Sequence, residues 1–302
     1  MMVINLGSIN VDHVYQVPHF VAPGETLAST GYDQLLGGKG ANQSIALSHA
    51  LTHTDGSVQH VGLINEAQCH IKQDLIKEGI DCRYLKVSEA ATGHAIIQVS
   101  ESGENSIVLF AGANHDIQAS QVQQAIDSAP QDGWLLTQNE TNSIGEAMRL
   151  AKEKGLKVAF NPAPMTESVK RLPLELVDLF IVNEVEAEGI AGTSDLNEIE
   201  AFFKSQYPHA EVIITLGKSG AVMLTGNDRI QVPAFVVKAV DTTAAGDTFI
   251  GFFLASYMQH NDAKKALTLA CAASAIAVTK AGASPSIPRA EEVQAFLEQQ
   301  GG

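Results

Sequence analysis

The sequence predicts an α/β protein: a three-layer sandwich with a mostly parallel central sheet and a small β-rich lid. Three observations predict it. From about residue 134 onward, short apolar runs alternate with longer amphipathic ones, the βα rhythm of a parallel sheet covered on both faces. Between Val11 and Phe110 that rhythm gives way to short β-rich pieces, which suits a lid beside the main sheet. Polar residues also gather just past several successive strands, where open α/β sheets bind their ligands.

Val3-Ile4-Asn5-Leu6-Gly7 reads as the first strand, and Pro18, Pro23 and Gly24 interrupt the next stretch of chain. His94 to Val99 and Ser106 to Phe110 read as lid strands joined at a Glu101-Ser102-Gly103-Glu104 turn. Trp134-Leu135-Leu136 is the next strand. Ser143 to Lys154 then reads as a helix, with the Ser143 hydroxyl as a cap, Glu146 three residues on, and Gly155 as its end. Further strands fall at Val158 to Phe160, Leu179 to Val182 and Val212 to Thr215, with helices around 184–190 and 195–206. Three helices close the chain: Gly246 to Gln259, Asp262 to Thr279, and Arg289 to Gln299 after Pro288. The expected organisation is a single domain over residues 1–302, with lid segments at about 11–36 and 91–112.

Composition narrows the function. Of the 302 residues, 45% are hydrophobic, enough for a full core. Nineteen Lys and Arg against 34 Asp and Glu give a formal charge of -15. That argues against nucleic acid and anionic membranes as partners. It does not exclude ATP, because backbone amides at a helix terminus can hold phosphate in an acidic protein. Cys69, Cys82 and Cys271 are widely spaced, with no Cys-x-x-Cys pair. Buried thiols in a reducing compartment are the expectation. The start of the chain has no basic stretch of the signal-peptide kind, and no apolar run reaches membrane-spanning length. The expected location is the cytoplasm.

The strongest chemical segment is Ala239-Val240-Asp241-Thr242-Thr243-Ala244-Ala245-Gly246-Asp247-Thr248-Phe249. Small residues crowd a turn that opens a helix, where free backbone N–H groups can meet a phosphoryl group. Asp247 falls in the first helical turn and can accept a proton from an attacking hydroxyl. The alternative is that Asp247 merely caps the helix. The second segment is Leu36-Gly37-Gly38-Lys39-Gly40-Ala41-Asn42-Gln43. Its glycines let the backbone approach a ligand, and they leave Asn42 at a helix start. Lys39 and Asn42 could face a polyhydroxyl ligand; a flexible turn before a capped helix is the plainer reading. It is not a Walker A loop, because Lys39 is followed by Gly40 rather than Ser or Thr.

A third group sits near strand ends: Asp12, Glu140, Asn161, Asn183 with Glu184-Val185-Glu186, and Thr215-Leu216-Gly217-Lys218-Ser219-Gly220. Any one of these reads equally well as a cap or turn; their coincidence is the signal. The ten histidines, His53 among them, are scattered and form no His-x-x-x-His pair with a Glu between. No serine sits in Gly-x-Ser-x-Gly, so acyl hydrolysis has no support.

Together these segments resemble the PfkB-type carbohydrate kinase family almost from end to end. The early Gly-Gly-Lys-Gly-Ala-Asn and the late Asp-Thr-Thr-Ala-Ala-Gly-Asp-Thr-Phe match its two signatures. Asn161-Pro162-Ala163-Pro164 and Asn183-Glu184-Val185-Glu186 lean toward its ribokinase branch. The resemblance implies a ribokinase-like fold and ATP-dependent phosphorylation of D-ribose at O5. It implies Asp247 as the base and Ala244, Ala245 and Gly246 as the anion hole. Asn10, Asp12, Gly38, Lys39, Asn42 and Glu140 match sugar-holding positions. Asn183 matches a nucleotide contact, and Glu186 matches a position associated with Mg2+ and its waters. Thr215, Gly217, Lys218, Ser219 and Gly220 match the nucleotide loop, and Cys271 an adenine-side helix position. Asp241, Thr243, Ala277, Lys280, Gly282 and Ser286 match an activating K+ site, several through backbone carbonyls. A homodimer through the β lids is implied as well. The rival readings are another sugar or nucleoside kinase of the same family, or a catalytically silent sugar-binding regulator.

Overall fold

The computed structural model describes residues 1–52 and 54–301, so His53 and Gly302 lie outside the described residues. The chain begins with β1 (Met2–Leu6), leaves for β2 (Asn10–Val17) and β3 (Gly31–Gly37), and returns through α1 (Lys39–Leu51) to β4 (Ser57–Asn65). Next come α2 (His70–Lys77) and β5 (Asp81–Ser88), followed by β6 (Gly93–Ser100) and β7 (Asn105–Phe110). Strands and helices then alternate: α3 (Ala119–Asp127), β8 (Trp134–Gln138), α4 (Ile144–Lys154), β9 (Lys157–Asn161), β10 (Leu179–Asn183), α5 (Glu184–Ala191), α6 (Leu196–Gln206) and β11 (Glu211–Thr215). A hairpin of β12 (Ala221–Thr225) and β13 (Asp228–Val232) precedes α7 (Ala245–His260), α8 (Ala263–Ala277) and α9 (Ala290–Gln299).

The main sheet has nine strands in the order β13-β12-β11-β10-β9-β8-β1-β4-β5. It is parallel from β11 to β5, and the β12–β13 hairpin adds antiparallel strands at one edge. A second sheet, β3-β2-β6-β7, is the lid. Within it β2 and β6 run parallel, while β3 and β7 pair antiparallel on the outside. The lid strands span residues 10–37 and 93–110, where lid segments of about 11–36 and 91–112 were expected.

Residue alternation along the parallel strands explains the three layers. Val3, Leu136, Ala159, Ile181 and Ile213 point to one face, where they meet α1, α7 and α8 through Leu47, Phe252, Phe253 and Ala270. Ile4, Leu135, Phe160, Phe180 and Ile214 point to the other, against α4 and α6 through Met148 and Phe203. Side chains one apart on a strand face opposite ways, so a run that is apolar throughout requires cover on both sides.

The structure departs from the sequence reading in four places. Residues 39–88 carry α1, β4, α2 and β5 and belong to the main layers, although they lie inside the stretch read as lid-like. The reason is visible in β4, where the buried polar residues Gln59 and His60 interrupt the apolar run that normally marks a parallel strand. The β12–β13 hairpin was not expected either. The Ser143 hydroxyl does not cap α4: its backbone is left-handed at φ 63, and the hydroxyl donates to Ile117 O at 3.2 Å. Asn42 is not at the start of α1 but one turn in, because the helix begins at Lys39. Among the described residues, no helix is long and apolar enough to cross a membrane.

Candidate active site

The carboxyl ends of the parallel strands, the start of α7 and the inner face of the lid enclose a cleft of about 480 Å³. Asn10, Asp12, Gly38, Lys39, Asn42, Glu140, Asn183, Glu186, Thr215, Thr243, Ala244, Gly246 and Asp247 line it. These come from widely separated stretches of chain, so tertiary folding gathers the residues singled out from sequence. Ala95, Ile97, Ile107 and Leu109 of the lid add an apolar wall. Ala245, Gly217, Lys218, Ser219, Gly220 and Cys271 are not in the lining. Cys271 is buried in the core on α8, and burial pushes its thiol up to about 11.

Asp247 is the third residue of α7 and is buried. Its Oδ2 accepts from Asn42 Nδ2 at 3.0 Å, and its Oδ1 accepts from Gln43 Nε2 at 2.9 Å. Ala244 precedes the helix in the left-handed region at φ 59, a conformation that a β-carbon disfavours and that is often held at functional turns. The first bond of the helix runs from Thr248 N–H to Ala244 O at 2.8 Å. The amides of Gly246 and Asp247 therefore precede any intrahelical acceptor. The Ala245 amide is turned to Thr242 O at 3.3 Å. A β-carbon built on Gly246 would meet nothing within 4 Å. The bare glycine thus opens toward the cleft instead of packing against protein, as close approach by a ligand requires.

At the other end of the cleft, Asn10 and Asp12 lie two apart on β2 and so share one face of the lid. Asn114 fixes Asn10 by donating to its Oδ1 at 2.8 Å. The Asp12 carboxylate lies over Gly37, where a β-carbon would come within 1.9 Å of Oδ2. Gly37 is therefore required for Asp12 to occupy this place. Glu140 is anchored by the Ser8 hydroxyl and by the Lys39 backbone N–H at 3.0 Å. Burial, helped by the nearby Glu140 charge, raises the Asp12 carboxyl to about 6. Burial also raises Glu140, against the opposing pull of Lys39. Burial works against the charge on Lys39, but the surrounding Asp247, Glu140 and Glu186 outweigh it and hold the ammonium above its ordinary value.

Asn183 and Glu186 form a capping box at the start of α5. Glu186 N–H donates to Asn183 Oδ1 at 2.8 Å, and Asn183 N–H donates to Glu186 Oε2 at 3.0 Å. They cap the helix and line the cleft at once, so the two readings of this segment coexist. Asn161 Nδ2 donates to Glu186 Oε2 at 3.2 Å. Burial raises the Glu186 carboxyl.

The loop before α7 and the loop after α8 also meet. Asp241 Oδ1 accepts from the Thr243 N–H and hydroxyl, and its Oδ2 accepts from Gly282 N–H at 2.9 Å. Val278 O accepts from Val240 N–H at 2.7 Å. Lys280 Nζ turns outward to Glu292 at 2.7 Å, leaving the loops free of its charge. The Ser286 hydroxyl donates to Ala283 O at 2.7 Å, and Ala277 O accepts from Lys280 N–H.

Sequence reading missed Gln43, Gln138 and Asn114 as members of the site's framework. Gln43 stands next to Asn42 in the glycine-rich segment, and Gln138 ends β8, so both carried the strand-end or motif signal. Nothing local marked Asn114.

The raised Asp12 carboxyl has a consequence for stability. A carboxyl whose folded value lies above 3.8 is favoured by the fold in its neutral form. The penalty is absent below the unfolded value and complete above about pH 6. Asp12→Asn should therefore be more stable than the wild type at pH 7.5, by up to ~2–3 kcal/mol. The difference should vanish toward the unfolded carboxyl's own value. Urea unfolding across that pH range checks this; a pH-independent difference would count against it.

The profile of the pfkB family carbohydrate kinases matches residues 2–290. A ribokinase from Haemophilus influenzae is 40% identical, over 97% of this chain and 97% of its own length. A solved ribokinase from Thermotoga maritima superposes with a TM-score of 0.86 at 32% identity, covering 99% of each chain. A ribokinase from Arabidopsis thaliana, solved with ribose and ATP, superposes with a TM-score of 0.84 at 27% identity and covers 98% of each chain. With both signature segments converging on one cleft, and with likeness over nearly the whole length, the chain belongs to the pfkB family of carbohydrate kinases.

Proposed function

We propose that this chain transfers the γ-phosphoryl group of ATP to O5 of D-ribose. The observation that carries the reading is the pairing, within one cleft, of the Asp247 carboxylate at a helix start with the Asn10–Asp12 face of the lid. Asp12, Asn10, Asn42 and Glu140 offer acceptors and donors for the several hydroxyls of a small sugar, and Lys39 adds a charged donor. Asp247 takes the proton of the attacking hydroxyl as the oxygen bonds to phosphorus and the bond to ADP breaks. The Gly246 and Asp247 amides meet charge on the transferring oxygens. The ribose and ATP held by the Arabidopsis relative support this pairing of substrates.

Among the described residues, no group of three or more His, Cys, Asp or Glu is placed to hold a metal. Glu186, a carboxylate in the cleft lining, would be the protein group to hold Mg2+ through its waters, with nucleotide phosphates supplying the other oxygens. When bound, Mg2+ neutralises phosphate charge. On closure over the substrates the lid's apolar wall would exclude water that could otherwise take the phosphoryl group. Turnover measured on ribose, deoxyribose, fructose and adenosine tests the acceptor. Ribose should give the highest kcat/KM, and equal efficiency on adenosine or fructose would favour the rival kinase readings. Asp247→Asn should lose about 10²–10⁴-fold in kcat while still binding nucleotide. Near-normal turnover would reduce Asp247 to a cap, and wild-type inactivity on every sugar would favour the silent regulator.

A second element of the proposal is activation by K+ at the paired loops of Asp241, Thr243, Ala277, Lys280, Gly282 and Ser286. Backbone carbonyls and one carboxylate suit a large, weakly hydrated cation. The first of these loops runs directly into Ala244 and the α7 amides, so an ordered loop preorganises the donors. Replacing K+ with Na+, then with a bulky organic cation at constant ionic strength, should lower kcat stepwise. Unchanged turnover after removal of trace K+ would refute it.

The outer lid strand supports assembly of two copies. Every residue of β7 is exposed, including Ile107, Val108, Leu109 and Phe110. An uncovered apolar edge strand invites pairing, and we propose that two lids cover each other. Light scattering at micromolar concentration should report the mass of two chains, and Val108→Lys should return one.

A further inference from the structure

A row of fully buried polar side chains runs from Asp247 into the centre of the main sheet. Gln43, Gln138, Asn5, Ser44 and His60 are each 0–1% exposed. Gln43 Nε2 donates to Asp247 Oδ1 at 2.9 Å. Gln138 Nε2 donates to Gln43 Oε1 at 2.7 Å and to Asn5 Oδ1 at 2.9 Å. Asn5 Nδ2 donates to the Ser44 hydroxyl at 2.8 Å and to Gly40 O at 2.8 Å. The Ser44 hydroxyl lies 2.8 Å from His60 Nδ1.

The row has one polarity, fixed at one end by the Asp247 carboxylate and at Asn5 by the Gly40 carbonyl. An ionised carboxylate only accepts, so Gln43 must present its amide nitrogen to Asp247. Its oxygen then faces Gln138, which must in turn present nitrogen, and Asn5 must accept from it and donate onward. The Ser44 proton is left for His60 Nδ1, which makes His60 the neutral tautomer. Burial agrees, because it pushes His60 down to about 4. The polarity leaves Gln138 Oε1 buried without a partner. These positions are sealed from bulk solvent, so each amide holds the next in place.

We propose that Gln43 is a positioning residue for Asp247, and that Gln138 and Asn5 hold Gln43 with its nitrogen toward the base. This rests on the reading of Asp247 as the base. With the row intact, the Gln43 and Asn42 amides each grip one carboxylate oxygen, which fixes the direction of the lone pair that takes the proton. If Gln43 is released from behind, its side chain gains freedom and its grip on Asp247 Oδ1 loosens. The base rotates away from the attacking hydroxyl while sugar and nucleotide contacts remain.

The test uses near-isosteric changes in the full chain, with kcat and KM measured on whichever sugar the wild type phosphorylates best. Gln43→Met should lower kcat by roughly 10–100-fold, and Gln138→Met, which does not touch Asp247, by roughly 3–10-fold. KM for sugar and ATP should stay within about threefold in both. In an Asp247→Asn background, neither change should lower the residual rate further, because each acts only through that carboxylate. A folded variant of either kind with unchanged kcat would overturn the inference. So would a loss carried by KM, or the same fractional loss in the Asp247→Asn background. If Gln43→Met does not fold, Gln138→Met carries the test alone. A wild-type chain inactive on every sugar would instead refute the kinase reading itself.

Discussion

Helix α7 lies so close to α1 that no side chain fits between them at Gly251. A β-carbon there would sit 2.4 Å from Ala46 Cβ and 2.7 Å from the Leu47 nitrogen. The approach places Asn42 and Gln43, on one helix, within hydrogen-bonding range of Asp247 on the other. A second contact of the same kind holds α1 from its other side. A β-carbon on Gly40 would be 2.4 Å from Gly7 Cα, so the start of α1 is seated directly on the chain leaving β1. With backbone against backbone on both sides, α1 has little freedom to slide. Close-packed interiors transmit such displacements instead of absorbing them. Asp247, its amide partners and the glycine-rich turn form one rigid assembly for this reason.

Charge in the cleft follows a second constraint. Asp12, Glu140, Glu186 and Asp247 face one lysine, Lys39. Burial favours the neutral form of Asp12, Glu140 and Glu186. Lys39 keeps its charge because three of the carboxylates surround it. A cleft this acidic cannot attract a polyphosphate by side-chain charge, and the chain's formal charge of -15 does not help. Phosphate must be met by local devices: the amides at the start of α7 and the counter-ions that a nucleotide brings with it. The acidic side chains suit hydroxyl groups, which they orient by accepting hydrogen bonds. Two chemistries thus share one cleft, with Asp247 at the border between them.

The lid's position is set by how the chain leaves the sheet. Only Gly7, Ser8 and Ile9 separate β1 from β2. The residues beside the central strand are therefore tied closely to those that close over the ligand. Asn10 and Asp12 ride on the lid, and Gly38 and Lys39 come directly where β3 returns. Movement of the lid would carry part of the cleft lining with it.

Much of this was legible in the sequence, and the reasons are local. Apolar runs of three or four residues marked β8, β10 and β11 because strands buried on both faces have few polar positions. The signature segments marked the α7 turn and the start of α1 because small residues are required where backbone meets backbone or ligand. The functional set, including Asp247, Asp12, Glu140 and Lys39, was named from those segments and from the family they resemble. Other features were not legible. Strand β4 was hidden by Gln59 and His60, whose burial is tolerable only because partners from other elements reach them. The Ser143 cap failed because its backbone is left-handed at φ 63 instead of extended, which aims its hydroxyl at Ile117 O, 26 residues earlier in the chain. The row from Gln43 to His60 joins residues from α1, β8, β1 and β4, and its single polarity is fixed by a carboxylate on α7 and by the Gly40 carbonyl. Sequence by itself determined which elements form and which segments carry chemistry, since propensity, burial pattern and turn composition act over a few residues. Only the tertiary structure decided which polar groups face one another and in which direction each donates, because a buried hydrogen bond depends on partners brought together from distant parts of the chain.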